Sequence, residues 1–262
     1  MDWTSHRITP IGIKPKKRFG QNFLTSKDIA MAEAEYGISK NVIEFGPGLG
    51  MLTNELCKVA KRVLAIERDE SLCSALSANL DCENLKLLNK DFFEVDDKEF
   101  SGYDIMISNI PYNLSSKTIL WLGNHDMPAL LCLQKEFVDH MMAKPDTGNY
   151  SHLSVVSHLK FEIKDIMKVP ASNFYPKPKV DSKIIYIKPK RTSISEKELD
   201  MLSLIMMHKK KTVRNAIMDS GKALGRTKER VAKMAENAPY HDKRVFKLSP
   251  EELLEIAGHL SK

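Results

Sequence analysis

The stretch Val42-Ile43-Glu44-Phe45-Gly46-Pro47-Gly48-Leu49-Gly50-Met51-Leu52 decides the fold. A short β-branched and aromatic run ends in three alternating glycines, and Leu52, Leu56 and Val59 then recur along one helical face. Strand, tight turn and helix are predicted in that order. The pattern continues outward from there. Residues 63–66 predict a second strand, closed by Glu67, and residues 71–80 a helix with Leu72, Leu76 and Leu80 on one stripe. Residues 85–88 and 103–108 read as a third and a fourth strand, 115–123 as a helix, and 129–133 as another strand followed by a helix from Lys135. Such alternation predicts an α/β fold, a doubly wound Rossmann-like domain whose parallel strands are joined by right-handed crossovers.

Beyond Tyr150 the pattern is less regular. Late strands are expected at 161–169 and 183–187, around the loop Phe174-Tyr175-Pro176-Lys177-Pro178-Lys179, where two spaced prolines keep the chain extended. From Ser195 onward the signals are helical. Ser195 and Glu198 form a capping box, Gly221 and Gly225 punctuate, and Ser249-Pro250-Glu251-Glu252 is a strong helix start. The boundary is placed near Lys190, giving a catalytic domain with a basic N-terminal tail over 1–190 and a small all-α domain over 191–262.

The 262 residues allow one sizeable domain and a small appendage. No run approaches the roughly 18 apolar residues of a membrane span, and residues 1–23 are polar and basic, so a soluble, unexported, cytoplasmic protein is expected. Cys57, Cys73, Cys82 and Cys132 show no paired spacing and no nearby histidine, which argues against zinc or disulfides. The eight histidines show no metal spacing either. The net charge of +6 is unevenly spread: residues 191–262 hold 15 basic against 10 acidic side chains, residues 1–24 hold 5 against 1, and the remaining body is negative. That distribution suits a protein that grips phosphates with its ends and performs chemistry in its body.

The glycine turn selects among nucleotides. A nicotinamide dinucleotide fingerprint needs a sixth-position glycine, and that position holds Met51. A carboxylate, Glu44, stands two residues before the turn instead, which suits a cationic ligand without phosphates; S-adenosylmethionine is such a ligand. Glu67 lies 19 residues beyond Gly48, where an acid at a strand end accepts from ribose hydroxyls. Asp91, after the third strand, is placed to accept from the adenine amino group of the donor, with Phe92 as an apolar wall. Taken alone, an acid after a strand is more often a helix cap than a ligand-binding residue. Gly46, Glu67, Asp91 and Asn109 fall in order at the ends of successive strands, and the ordered set is stronger than any member.

Asn109-Ile110-Pro111-Tyr112 supplies the chemistry at the other side of that cleft. An adenine amino nitrogen is a poor nucleophile because its lone pair is delocalised into the ring. The Asn109 side-chain oxygen and the Ile110 carbonyl are expected to accept its two N–H bonds and aim the lone pair at a sulfonium methyl. Tyr112 is expected to stack on the base, worth roughly 1–3 kcal/mol, once the nucleotide has left its helix. No strong base is required, since the alkylated amine is acidic enough to lose its proton to solvent.

With those residues in place, the chain resembles the ribosomal RNA adenine dimethyltransferase family that modifies the small subunit. The resemblance rests on six ordered segments: Lys16 to Leu24, Glu44 to Thr53, Asn109 to Ser115, Gln134-Lys135-Glu136, Pro176 to Ser182 and Lys211 to Asn215. It implies a class I methyltransferase domain with a donor site from Asn22, Leu24, Gly46, Gly48, Glu67, Asp91 and Asn109, and a target site from Asn109 and Tyr112. It further implies dimethylation of two adjacent adenosines near the 3′ end of small-subunit ribosomal RNA, within a pre-ribosomal particle; separately, a monomer is expected. Residues 191–262 and the Lys209 to Arg214 cluster would then grip the RNA backbone. Ile110 stands where leucine is common in the family and Lys90 where glycine is common. Two other readings stay open at this level: an assembly factor in which binding outweighs catalysis, and a methyltransferase acting on large-subunit RNA or DNA. Met201, Met206 and Met207 read as helix core, while Phe174-Tyr175 reads either as packing beneath the site, the favoured choice, or as a contact to the target base.

Overall fold

The computed structural model describes residues 15–261; the remainder of the basic tail, residues 1–14, and Lys262 lie outside the described residues. The chain divides into two compact units. The first comprises the described residues through Lys135 together with Ile163–Pro189. The second comprises Glu136–Glu162 and the described residues from Lys190 onward.

The first unit is built on a seven-stranded sheet. In chain order its elements are β1 (Phe23–Leu24), α1 (Lys27–Ala34), β2 (Asn41–Phe45), α2 (Met51–Val59), β3 (Arg62–Glu67), α3 (Glu70–Asn79) and β4 (Leu85–Asn89). β5 (Ile105–Asn109), α4 (Ser115–His125), β6 (Ala129–Gln134) and the start of α5 (Lys135–Met141) follow; after α6 (His152–Lys160) come β7 (Phe161–Val169), β8 (Phe174–Tyr175) and β9 (Ser182–Pro189). The strand order is β4-β3-β2-β5-β6-β9-β7. β2 to β6 pair in parallel, whereas β9 lies antiparallel to β6, with Leu131 opposite Ile185. The predicted parallel, doubly wound domain is present, extended on one side by an antiparallel strand. Val42, Ile43, Leu64, Ala65, Ile107, Leu130 and Leu131 are wholly buried, as strands covered on both faces must be.

The chain winds outward from β2 to β4, then returns to lay β5 on the other side of β2. Ligands bind where strand order reverses in this way, in the crevice beyond the strand ends. A local device opens that crevice. The β2–β5 ladder is registered through Ile43 and Met106, and beyond it the Ser108 hydroxyl takes over, accepting from the Phe45 N–H at 2.8 Å and donating to the Phe45 carbonyl at 2.6 Å. Ser108 is fully buried, so these bonds satisfy backbone groups that would otherwise be orphaned. A second, two-stranded sheet pairs β1 with β8, setting Phe23 opposite Tyr175 and Leu24 opposite Phe174. No short-range pattern in the sequence predicts that pairing.

The second unit is helical: α7 (Glu196–Met207), α8 (Val213–Asp219), α9 (Lys228–Glu236) and α10 (Pro250–Leu260). Both predicted capping boxes form, Ser195 with Glu198 and Ser249 with Glu252, the second with Pro250 in the first turn. The unit also takes in α6 and most of α5, because Val155, Leu159 and the fully buried Tyr150 share its core with Leu202, Ile205, Ile217 and Leu253. The Tyr150 hydroxyl donates to the Leu248 carbonyl at 2.9 Å, so its one polar group is satisfied there. Met206 is buried and Met201 packs against the same core, while Met207 stands 66 % exposed.

Candidate active site

At the carboxyl ends of β2, β3 and β5 the first unit forms a cleft open to solvent. Asn22, Gly46, Gly48, Glu67, Asn109 and Tyr112 all line it, residues that span almost a hundred positions in sequence. Two glycines shape the floor. Gly46 has φ +72°, and a Cβ added there meets nothing nearer than the Pro111 Cδ at 3.9 Å, so its missing side chain is open space in the cleft. Gly48 has φ +59°, and a Cβ there would come within 2.8 Å of the Phe23 ring.

Glu67 ends β3, 5 % exposed. Its Oε2 accepts from the Gly48 N–H at 3.3 Å and its Oε1 from the Asp69 N–H at 2.8 Å. Burial raises its pKa, and these backbone bonds oppose the rise. Each oxygen retains capacity for a further donor. Glu44, on β2, is 2 % exposed; burial, with Glu33 and Glu67 nearby, pushes its carboxyl up to about 8.

Leu24 and Asp91 stand apart from the main cleft. Leu24 is buried in the core and lines a smaller adjoining hollow with Asn22, Glu44, Gly46 and Asn109. Asp91 caps the short turn after β4, accepting from the Phe93 N–H at 3.1 Å, and pairs with Arg68 at 3.3 Å. Arg68 does line the cleft, and its guanidinium lies 4.4 Å from the Phe19 ring centroid. Phe92 is 1 % exposed and stacks on Phe45 at 4.3 Å; it is Phe45 that reaches the cleft wall. The N-terminal segment is tied down nearby. Lys16 bonds Asp69 at 2.6 Å and Gln21 bonds it at 3.0 Å, and together with Ser71 they hold the Asp69 pKa down to about 2 against the opposing effect of burial.

Across the cleft, Asn109 ends β5. Its Nδ2 donates to Glu33 Oε2 at 3.1 Å, while its buried Oδ1 has no partner. The Ile110 N–H bonds the Cys132 carbonyl at 3.3 Å, tying the turn to β6. Tyr112 is half-buried, and its hydroxyl lies 2.7 Å from that of Ser182 on β9. Phe174 is buried and lines the cleft; Tyr175 is 45 % exposed. Glu33 and Ser182 carry no role in the sequence reading beyond Ser182's place in a matched segment. The signal for Glu33 was an acid on a helical stripe with Ala30 and Ala34, where an apolar residue belongs.

In the second unit the basic cluster is partly committed. The Lys209 ammonium donates to the carbonyls of Tyr150 and Gly148, Lys211 pairs with Asp219, and Arg214 pairs with Glu236; Lys210 and Lys211 are exposed. Among the described residues no group of acids, histidines and cysteines fits a metal, all four cysteines are free, and no helix is long and apolar enough to cross a membrane.

Residues 12–259 match the family described as "Ribosomal RNA adenine dimethylase". The chain is similar to a probable ribosomal RNA small subunit methyltransferase A of Thermococcus gammatolerans, 36 % identical over 97 % of this chain and 92 % of that one. A protein of the same description from Pyrococcus furiosus is 37 % identical, over 97 % and 94 %. Among solved structures, a dimethyladenosine transferase from Plasmodium falciparum superposes with a TM-score of 0.75 at 25 % identity, over 89 % of this chain and 95 % of that one. The 23S rRNA methyltransferase ErmE shares the fold, with a TM-score of 0.60 at 24 % identity, over 92 % and 100 %.

Proposed function

This chain belongs to the ribosomal RNA adenine dimethylase family, and we propose that it places two methyl groups on the amino nitrogen of each of two adjacent adenosines near the 3′ end of small-subunit ribosomal RNA. It is an rRNA adenine dimethyltransferase, with S-adenosylmethionine as the methyl donor its family implies. The substrate in this reading is an immature small-subunit particle in the cytoplasm, which a monomer engages during ribosome biogenesis. The helical residues 191–262 hold the RNA backbone through phosphate contacts, to which exposed Lys210 and Lys211 contribute.

The cleft fits the donor on two counts. The open face of Gly46 leaves room for a ligand against the backbone, and the carboxyls of Glu67 in the cleft and Glu44 in the adjoining hollow are acceptors whose ionised form a bound cation would favour. Asn22, Leu24, Gly46, Gly48, Glu67, Asp91 and Asn109 are the residues assigned to it, with Glu67 accepting from the ribose hydroxyls. Asp91 serves by exchanging Arg68 for the adenine amino group. When bound, S-adenosylmethionine supplies an electrophilic methyl on a sulfonium that leaves as a neutral thioether.

The observation that carries the proposal is the Asn109 amide, whose Nδ2 is engaged while its Oδ1 is buried and unpartnered at the cleft. A buried acceptor left without a donor costs roughly 1–3 kcal/mol, a cost removed when an adenine N–H arrives. The Ile110 carbonyl takes the second N–H, which favours a pyramidal nitrogen with its lone pair directed outward. Tyr112 stacks on the base, its ring held by Ser182. The new nitrogen–carbon bond makes the amine cationic, and its surplus proton passes to water.

Asn109→Ala tests this. Methyl transfer to immature small subunits should fall by a factor on the order of 10²–10³, as when a single oriented transition-state hydrogen bond is removed, while calorimetry shows S-adenosylmethionine still binding. Full turnover in the variant would sink the amino-group clamp.

A further inference from the structure

Glu33, 1 % exposed, lies on the buried face of α1 with Ala30 and Ala34, which pack in an apolar cluster with Leu52, Ile107 and Leu130. An acid so placed is costly unless it is neutral or well bonded. Its Oε2 receives the Asn109 Nδ2 and its Oε1 has no partner. The titratable groups that face it are Glu44 on β2 and the Cys132 thiol on β6, and among the described residues none brings it a positive charge.

We propose that Glu33 is a positioning residue for Asn109, holding the amide by its nitrogen so that its oxygen alone is offered to the target amino group. The catalytic part of this inference rests on the clamp reading above; the contact itself does not. The terminal torsion of asparagine is broad and nearly two-fold, so an untethered amide is free to turn over. A half turn would present N–H donors to an amino group that is itself a donor, and complementarity would be lost. One anchored hydrogen bond removes that freedom. Burial, opposed by the Asn109 bond, holds the Glu33 carboxyl up at about 8, so at neutral pH it is protonated and accepts through its carbonyl oxygen. Ionisation above that pH makes it a stronger acceptor and grips the amide more firmly.

Glu33→Gln and Glu33→Ala in the full chain separate the roles. Glutamine copies the protonated acid, one acceptor and one donor, without titrating; alanine leaves Asn109 untethered. Glu33→Ala should lower kcat by 10- to 100-fold, the scale of a misplaced reacting group, with the KM for S-adenosylmethionine held within about twofold. Glu33→Gln should recover most of that loss. The ¹⁵N resonance of the Asn109 side-chain amide, identified by its absence in Asn109→Ala, should move with pH near 8 in the wild type and stay fixed in Glu33→Gln. A Glu33→Ala enzyme of normal kcat, equal losses in both variants, or a wild-type amide resonance indifferent to pH would each overturn the proposal. If Asn109→Ala turns over normally, the clamp reading fails, and the amide resonance still decides whether Glu33 holds Asn109.

Discussion

Glu44→Gln should flatten the pH dependence of folding stability. Glu44 is 2 % exposed, and burial together with Glu33 and Glu67 raises its carboxyl from 4.5 to about 8, a rise that the Thr53 hydroxyl offsets in part. In the unfolded chain the group ionises near 4.5, so between there and about pH 8 the folded state binds more protons. Stability therefore carries its full contribution below pH 4.5, loses it as pH rises, and levels off above about 8. That window of about 3.5 units, at roughly 1.4 kcal/mol per unit, puts the loss on the order of 5 kcal/mol. Water entry on ionisation trims it to about 3 kcal/mol or more. Urea unfolding at pH 5, 7 and 9, without S-adenosylmethionine, reads this directly. The wild type should lose stability across the series, and Glu44→Gln should lose about 3–5 kcal/mol less. Parallel curves would mean that Glu44 is not held neutral by burial.

Other consequences are simpler. Ser108→Ala removes both hydroxyl bonds to Phe45 in a fully buried setting, so it should cost about 2–4 kcal/mol by chemical denaturation; an unchanged midpoint would show that the strand ends part without it. Replacing Lys210 and Lys211 together by alanine should weaken RNA binding and reduce the slope of log affinity against log salt by about 1.5, for two phosphate contacts. An unaltered slope would take both lysines out of the interface. Adding Lys209→Ala should lower stability rather than the salt slope, because that ammonium is engaged with the Tyr150 and Gly148 carbonyls.

Much of the site was legible along the chain because it is made of strand ends. A strand's side-chain alternation, the glycines that must follow it and the polar residue that closes it are all local, so the cleft-lining Gly46, Glu67 and Asn109 announce themselves in order, whereas Asp91 belongs to the same series of strand ends but pairs with Arg68 and stands apart from the cleft. Helix caps are equally local, and both capping boxes form where Ser195 and Ser249 predict them. The short β1–β8 pair was invisible, since two residues carry no period and their partners lie about 150 positions away. The same holds for α6, which reads as part of the sheet domain by position and packs with the C-terminal helices through Val155 and Leu159.

By itself the sequence determined the doubly wound sheet, the order of its elements and the residue types available at each strand end, because those follow from short-range sterics and hydrophobic period. Tertiary structure alone decided what each residue faces. It set Asn109 against Glu33, 76 positions away, and left the other end of that amide unpaired; it gave Asp91 to Arg68 and Tyr112 to Ser182. Such partnerships depend on how α1, β5 and β9 pack, and packing is a property of the whole core that no local pattern encodes.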